Sequence, residues 1–187
     1  MNNLIIFAHP NLASSTANSK IIENLRTSNL NFKIRHLDAL YDSYKINVDA
    51  EQQELINADN IILQFPFYWY SCPASLKNWI DQVLTFNFAY GPDGDKLKGK
   101  NLILSFTVGG PVESYTPLGY NHFSVHDLIK PFEQTAYLCQ MNYLPPIFTH
   151  RMIYIPGVYN IKEEVEDRAN LHTQRLITAL QNLDKNI

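Results

Sequence analysis

The 187-residue chain is 45% hydrophobic and 18% charged, a composition that suits one globular domain with a substantial core and leaves little room for two. A net charge of -3 and a pI near 6.0 give no electrostatic support to a nucleic-acid partner and speak against a strongly acidic one-electron carrier. Met1-Asn2-Asn3-Leu4 lacks the basic region and cleavage site of a signal peptide, no apolar run approaches the roughly 20 residues of a membrane span, and Cys72 and Cys139 form neither a CxxC pair nor a metal-type spacing. The expectation is a reduced, cytoplasmic protein without a metal.

In chain order, Leu4–Ala8 is a short continuous apolar run, as expected of a strand buried on both faces. Ser14 or Ser15 caps the helix after it, whose inner face carries Ile21, Ile22 and Leu25. Phe32–Leu37 alternates apolar and basic residues and reads as a strand nearer an edge. A tyrosine-rich connection over 38–48 leads to a short helix, Asp49–Ala58, with Asp49 as its cap. Asn60–Gln64 is the third strand, and Pro73 fits the first turn of the next helix. In that helix Leu76, Trp79, Ile80, Val83 and Leu84 make one buried stripe. A glycine-containing loop, 86–100, precedes the fourth strand, Asn101–Thr107.

An aromatic loop over 111–123 leads to a helix, Ser124–Met141, expected to kink at Pro131. Pro146–His150 and Ile153–Ile155 are short strand candidates, the second ended by Pro156-Gly157. The last helix, Lys162–Leu183, turns Val165, Ala169, His172, Leu176, Leu180 and Leu183 inward. Strands alternating with helices imply right-handed crossovers and a doubly wound parallel α/β sheet of five strands, in the order 2-1-3-4-5.

In such a sheet, ligands sit beyond the carboxyl ends of the strands. Three strand ends are chemically distinctive. After the first strand comes His9-Pro10-Asn11-Leu12-Ala13-Ser14-Ser15-Thr16-Ala17-Asn18, which is neither GxGxxG nor a triphosphate P-loop. It can still hold a phosphate. The first N–H groups of the following helix lack internal partners, and Ser15, Thr16, Asn18 and His9 add side-chain donors. After the third strand comes Phe65-Pro66-Phe67-Tyr68-Trp69-Tyr70, with five aromatic side chains where burial should be finishing. After the fourth comes Thr107-Val108-Gly109-Gly110, whose paired glycines let backbone approach a ligand closely. Alone, these loops also read as a helix cap, a hydrophobic plug and a tight turn. Together, a phosphate cradle and a flat aromatic wall describe a site for a flavin nucleotide.

The remaining polar residues carry less. His122 and His126 have the i, i+4 spacing of helical zinc sites, but nothing nearby completes a ligand set. His172 reads as a satisfied core residue, Cys72 as small buried packing, and Lys96, Lys98 and Lys100 as a solvated loop.

The stretches HPNLASSTAN, FPFYWYSCPASLKNWIDQV, FAYGPDGDKLKGK, TVGG and NYLPP, in that order, are similar to the flavodoxin-like NAD(P)H:quinone oxidoreductases. The short length most resembles the bacterial branch, which includes ancillary flavoproteins of glutathione-gated potassium-efflux systems. The resemblance implies one flavodoxin-like flavin-binding domain over residues 1–187. It implies that His9 and Ser15, Thr16, Ala17 and Asn18 hold the flavin phosphate region. Pro66, Phe67, Tyr68 and Trp69 lie against the isoalloxazine, and Thr107, Val108, Gly109 and Gly110 bond the ring's far edge. Tyr115 matches a tyrosine proposed to support hydride transfer. His122 lies one residue beyond the spacing of that tyrosine's histidine partner. Tyr68 and Val108 stand where many members have glutamine and threonine.

The activity so implied is two-electron reduction of a quinone or related electrophile by NADH or NADPH. It runs by ping-pong hydride transfer through a bound flavin, FMN being favoured over FAD because the chain is short. The alternative is a regulatory subunit docked on a cation/proton antiporter, which would place it at the inner face of the membrane. A small flavodoxin is a third class, opposed by the missing T-x-T-G-x-T loop. Aromatic clusters at 86–90 and 115–123 exceed what one small domain need bury, so a homodimer with the site at its interface is expected.

Overall fold

In the computed structural model, which describes residues 1–185, three continuous apolar runs become the centre of the sheet. They are β1 (Asn3–Phe7), β3 (Asn60–Pro66) and β4 (Asn101–Thr107), and none of their residues is exposed. β2 (Phe32–His36), with its alternating basic residues, takes the edge beside β1. With β5 (Asn142–Tyr143) at the far side, the order is β2-β1-β3-β4-β5 with every pair parallel, as the alternation of strands and helices predicts.

Among the described residues the sheet has six strands rather than the expected five. The edge beside β4 is shared by β5 (Asn142–Tyr143), opposite Asn101 and Leu102, and β6 (Ile147–Thr149), opposite Ser105–Thr107. Pro145 and Pro146 lie between them and have no N–H to give the ladder, so one strand becomes two. Ile153–Ile155 is not a strand. Ile155 instead bridges to Tyr159 across a turn in which Gly157 takes φ 69°.

Side chains alternate across the sheet and bury two cores. Leu4, Ile6, Ile61, Leu63, Leu102 and Leu104 face one side, with α3 (Val48–Asn57), α4 (Ala74–Val83) and α6 (Lys130–Leu138) over them. Ile5, Phe7, Ile62 and Ile103 face the other, beneath α1 (Thr16–Arg26) and α7 (Lys162–Asp184).

Local chemistry shifts three expected details. Asn47, not Asp49, caps α3 by accepting the Ala50 N–H at 3.1 Å. Pro73 precedes the first turn of α4 as its N-cap. The helix expected from 124 to 141 is broken rather than kinked. A Ser124–Asp127 capping box starts α5 (Val125–Leu128), and α6 begins afresh after Ile129 with Pro131 in its first turn. The short α2 (Leu37–Leu40) was unforeseen. No helix among the described residues is long and apolar enough to cross a membrane.

Candidate functional site

Because all strands are parallel, the loops after β1, β3, β4 and β6 emerge at one sheet edge. They enclose an open cleft of about 360 Å³, within the size range of small-molecule sites. Of the residues singled out in the sequence, His9, Ser15, Thr16, Asn18, Pro66, Phe67, Tyr68, Thr107 and Gly109 line it. Ala17 and Val108 are buried beside it. Trp69, Gly110, Tyr115 and His122 are not part of its lining.

One end of the cleft is polar. Ser15 caps α1, its hydroxyl oxygen accepting the Asn18 backbone N–H at 3.2 Å and the Asn18 side-chain amide at 3.3 Å. That amide also donates to the Thr107 hydroxyl at 3.1 Å, so the first and fourth strand ends are tied together. The His9 backbone N–H donates to Asp38 Oδ2 at 2.7 Å, and Ser75 at the start of α4 donates to the same oxygen at 3.0 Å. Burial lowers the His9 imidazole from its ordinary value, against the opposing pull of Asp38. Its Nδ1 accepts the Asn11 N–H at 3.2 Å, so in the neutral ring the hydrogen sits on Nε2 as a donor.

The other walls are flat or apolar. The Phe67 N–H donates to the Thr107 carbonyl at 2.8 Å, holding the aromatic loop against β4. Trp69 and Tyr70 take left-handed φ of 47° and 63°, a strained pair of the kind that concentrates at functional loops. They turn the chain so that Trp69 is 91% exposed. A Cβ on Gly109 would meet Ile153 at an ordinary contact distance of 3.6 Å, so the loop after β6 packs directly beside this residue.

That loop contributes Met152, Ile153 and Tyr154, which sequence reasoning missed. The available signal was positional: the segment follows a strand of the same parallel sheet and ends at a proline-glycine turn.

Tyr115 packs over Gly110, whose added Cβ would meet the tyrosine ring at 3.4 Å, and touches Phe67 at a centroid distance of 6.3 Å. The histidine beside it is His150, at 5.3 Å, rather than His122. His122 is exposed, with φ 61°. His150 Nδ1 lies 3.0 Å from the Gly110 carbonyl and donates to it, and burial lowers the imidazole from its ordinary value against the pull of that bond and of Glu113. Burial, with Tyr70 nearby, raises the Tyr115 phenol, so it stays protonated at neutral pH. His126 packs edge-on against Phe148, and no cluster of His, Cys, Asp or Glu among the described residues could hold a metal ion.

Hydroxyls and N–H groups at one end of a flat, apolar cleft suit a planar ligand bearing an anion. The family described as having a flavodoxin-like fold matches residues 1–175. The chain is 39% identical over 176 residues to the uncharacterized NAD(P)H oxidoreductase YdeQ of Bacillus subtilis (strain 168), covering 94% of this chain and 86% of that protein. It is 38% identical over 148 residues to the glutathione-regulated potassium-efflux system ancillary protein KefG of Cronobacter sakazakii, covering 79% of each. Among solved structures, general stress protein 14 of Treponema denticola in complex with FMN superposes with a TM-score of 0.85 at 36% identity, over 95% of this chain and 99% of that one. An NADPH-quinone reductase from P. pentosaceus superposes with a TM-score of 0.78 at 32% identity, over 94% and 97%.

Proposed function

Since the chain belongs to the flavodoxin-like NAD(P)H:quinone oxidoreductases, we propose that it binds FMN non-covalently in this cleft and uses NADH or NADPH to reduce a quinone or related electrophile by two electrons. The observation that carries this reading is the cleft itself, where three chemically different strand ends meet with donors at one end and flat walls at the other. FMN, when bound, supplies the hydride chemistry.

The chain's own residues do the rest. The first turn of α1, with Ser15, Thr16 and His9, holds the anion. Pro66, Phe67 and Tyr68 make a flat wall, and Thr107 and Gly109 bring backbone to its far side. Tyr115, kept protonated and packed against Phe67 and Gly110 beside the cleft, is the donor for a carbonyl acceptor. The nicotinamide and the acceptor use the same open side in turn, which makes the kinetics ping-pong. The working unit is a homodimer.

The similarity to KefG favours a second, compatible role as an ancillary subunit that docks on a cation/proton antiporter. A gene for such an antiporter beside this one would support it.

The purified protein should absorb near 450 nm, roughly where flavins do, and mass analysis of the released cofactor should give FMN. A colourless preparation that takes up neither FMN nor FAD would overturn the reading. Release of FAD would correct the cofactor alone.

A further inference from the structure

Two polar residues interrupt otherwise apolar strands: Gln64 in Ile61-Ile62-Leu63-Gln64-Phe65, and Ser105 in Leu102-Ile103-Leu104-Ser105-Phe106. They face each other in register on the α1–α7 side of the sheet, and both are fully buried. Buried polar groups need partners, and these find them in each other and in the two helices above.

The Ser105 hydroxyl lies 2.6 Å from Gln64 Oε1, and the Gln64 amide nitrogen lies 3.1 Å from Asn18 Oδ1. Behind Ser105, its oxygen is 2.9 Å from Nε2 of His172, which is fully buried on α7. His172 Nδ1 is in turn 2.9 Å from the Thr149 hydroxyl. The row runs from β6 across the sheet to the loop after β1.

We propose that this row is a one-way chain of hydrogen bonds whose purpose is to aim the Ser15 and Thr107 hydroxyls outward as donors to a bound anion, making Gln64, Ser105 and His172 positioning residues for the cleft.

The direction follows from counting hydrogens. Asn18 must turn its carbonyl to the Gln64 amide for its own NH2 to reach Ser15 and Thr107. Gln64 then presents its carbonyl to Ser105, whose single hydrogen is spent on it. Ser105 can therefore only accept from His172, which must carry its hydrogen on Nε2. A neutral ring with that hydrogen leaves Nδ1 to accept from Thr149. Two features fit this direction. Burial pushes His172 down to about 3, so the ring is neutral. Arg175 also approaches the Thr149 oxygen at 3.5 Å as a donor, leaving the threonine hydrogen for His172.

At the far end, the Ser15 and Thr107 oxygens are both occupied as acceptors. Neither hydroxyl donates to a protein acceptor among the described residues, and both residues line the cleft. Running the other way, the same row would turn both hydroxyl hydrogens inward to the Asn18 carbonyl and present lone pairs to an anion.

The purpose assigned to the chain rests on the proposed flavin function, and two measurements separate the claims. Long-range 1H–15N correlation spectra of the histidine rings in the flavin-free protein read the direction alone. His172 in the Nε2–H form is expected, and the Nδ1–H form would overturn the proposal. FMN and riboflavin, which differ by the phosphate, are then titrated into the flavin-free protein and its Ser105→Ala and Gln64→Met variants. Ser105→Ala, which removes a single oxygen, keeps the test alive should Gln64→Met fail to fold. The preference for FMN over riboflavin should fall roughly fivefold to tenfold, with riboflavin binding unchanged. A lowered melting temperature with the preference intact would show a merely structural row and overturn the proposal. Wild-type protein that binds neither compound would overturn the flavin reading and the purpose with it, while the ring spectrum still reports the direction.

Discussion

His172 shows how one buried side chain couples the site to acidity. Unfolded, its imidazole titrates near 6.5. Folded, burial and the nearby Arg175 bring it down to about 3. Below pH 6.5 the unfolded chain therefore takes up a proton that the folded chain refuses. Stability falls with decreasing pH through that window, by about 1.4 kcal/mol per unit, until the folded ring titrates near 3. His172→Gln keeps a donor and an acceptor in the space but does not titrate. Urea denaturation at pH 6.5 and pH 5 should show wild type losing about 2 kcal/mol more than the variant. Parallel losses would mean that His172 is not held neutral.

At the scale of elements, the edge strand and its neighbours are pinned by a buried carboxylate. Glu51 on α3 has no exposed surface and accepts from Arg35 on β2, from the Tyr41 hydroxyl at 2.6 Å and from the Trp79 indole of α4 at 2.9 Å. Glu51→Ala leaves a guanidinium and an indole N–H without their partner and should cost on the order of 3–5 kcal/mol. Asp81→Ala breaks the exposed Lys77–Asp81 pair and should cost less than about 1 kcal/mol. Denaturation midpoints of the two variants check the contrast.

This pin also shows where the sequence was legible. Continuous apolar runs located β1, β3 and β4, and the alternation of elements gave the sheet order, because burial on both faces leaves a local signature. Polar residues at strand ends pointed to Ser15, Asn18 and Thr107 for the same local reason. Partnerships between distant segments left no such trace. Nothing near Glu51 announces Trp79, nothing near Tyr115 announces His150, and the cleft wall at Met152, Ile153 and Tyr154 exists only because β6 lies beside β4. The split of the last strand was written in Pro145-Pro146, but its meaning depends on both halves pairing with one partner strand.

At the scale of the whole molecule, large apolar side chains remain outside. Leu118 is 100% exposed, Trp69 91%, Tyr120 87% and Phe123 60%. The loops that carry them adjoin, since the Tyr70 hydroxyl donates to Asn121 Oδ1 at 3.0 Å. The first of these loops follows directly on Pro66, Phe67 and Tyr68, which line the cleft. Large apolar side chains left exposed on adjoining loops mark an interaction surface. A second copy meeting it about a two-fold axis, the commonest arrangement, would cover both patches at once and close both clefts. Light scattering at micromolar concentration should therefore give about twice the 21.6 kDa of one chain. The double variant Leu118→Asp, Tyr120→Asp, which places charge on these exposed positions, should shift the mass toward one chain and lower turnover while FMN stays bound. A wild-type mass of 21.6 kDa with full activity would rule out the dimer as the working unit.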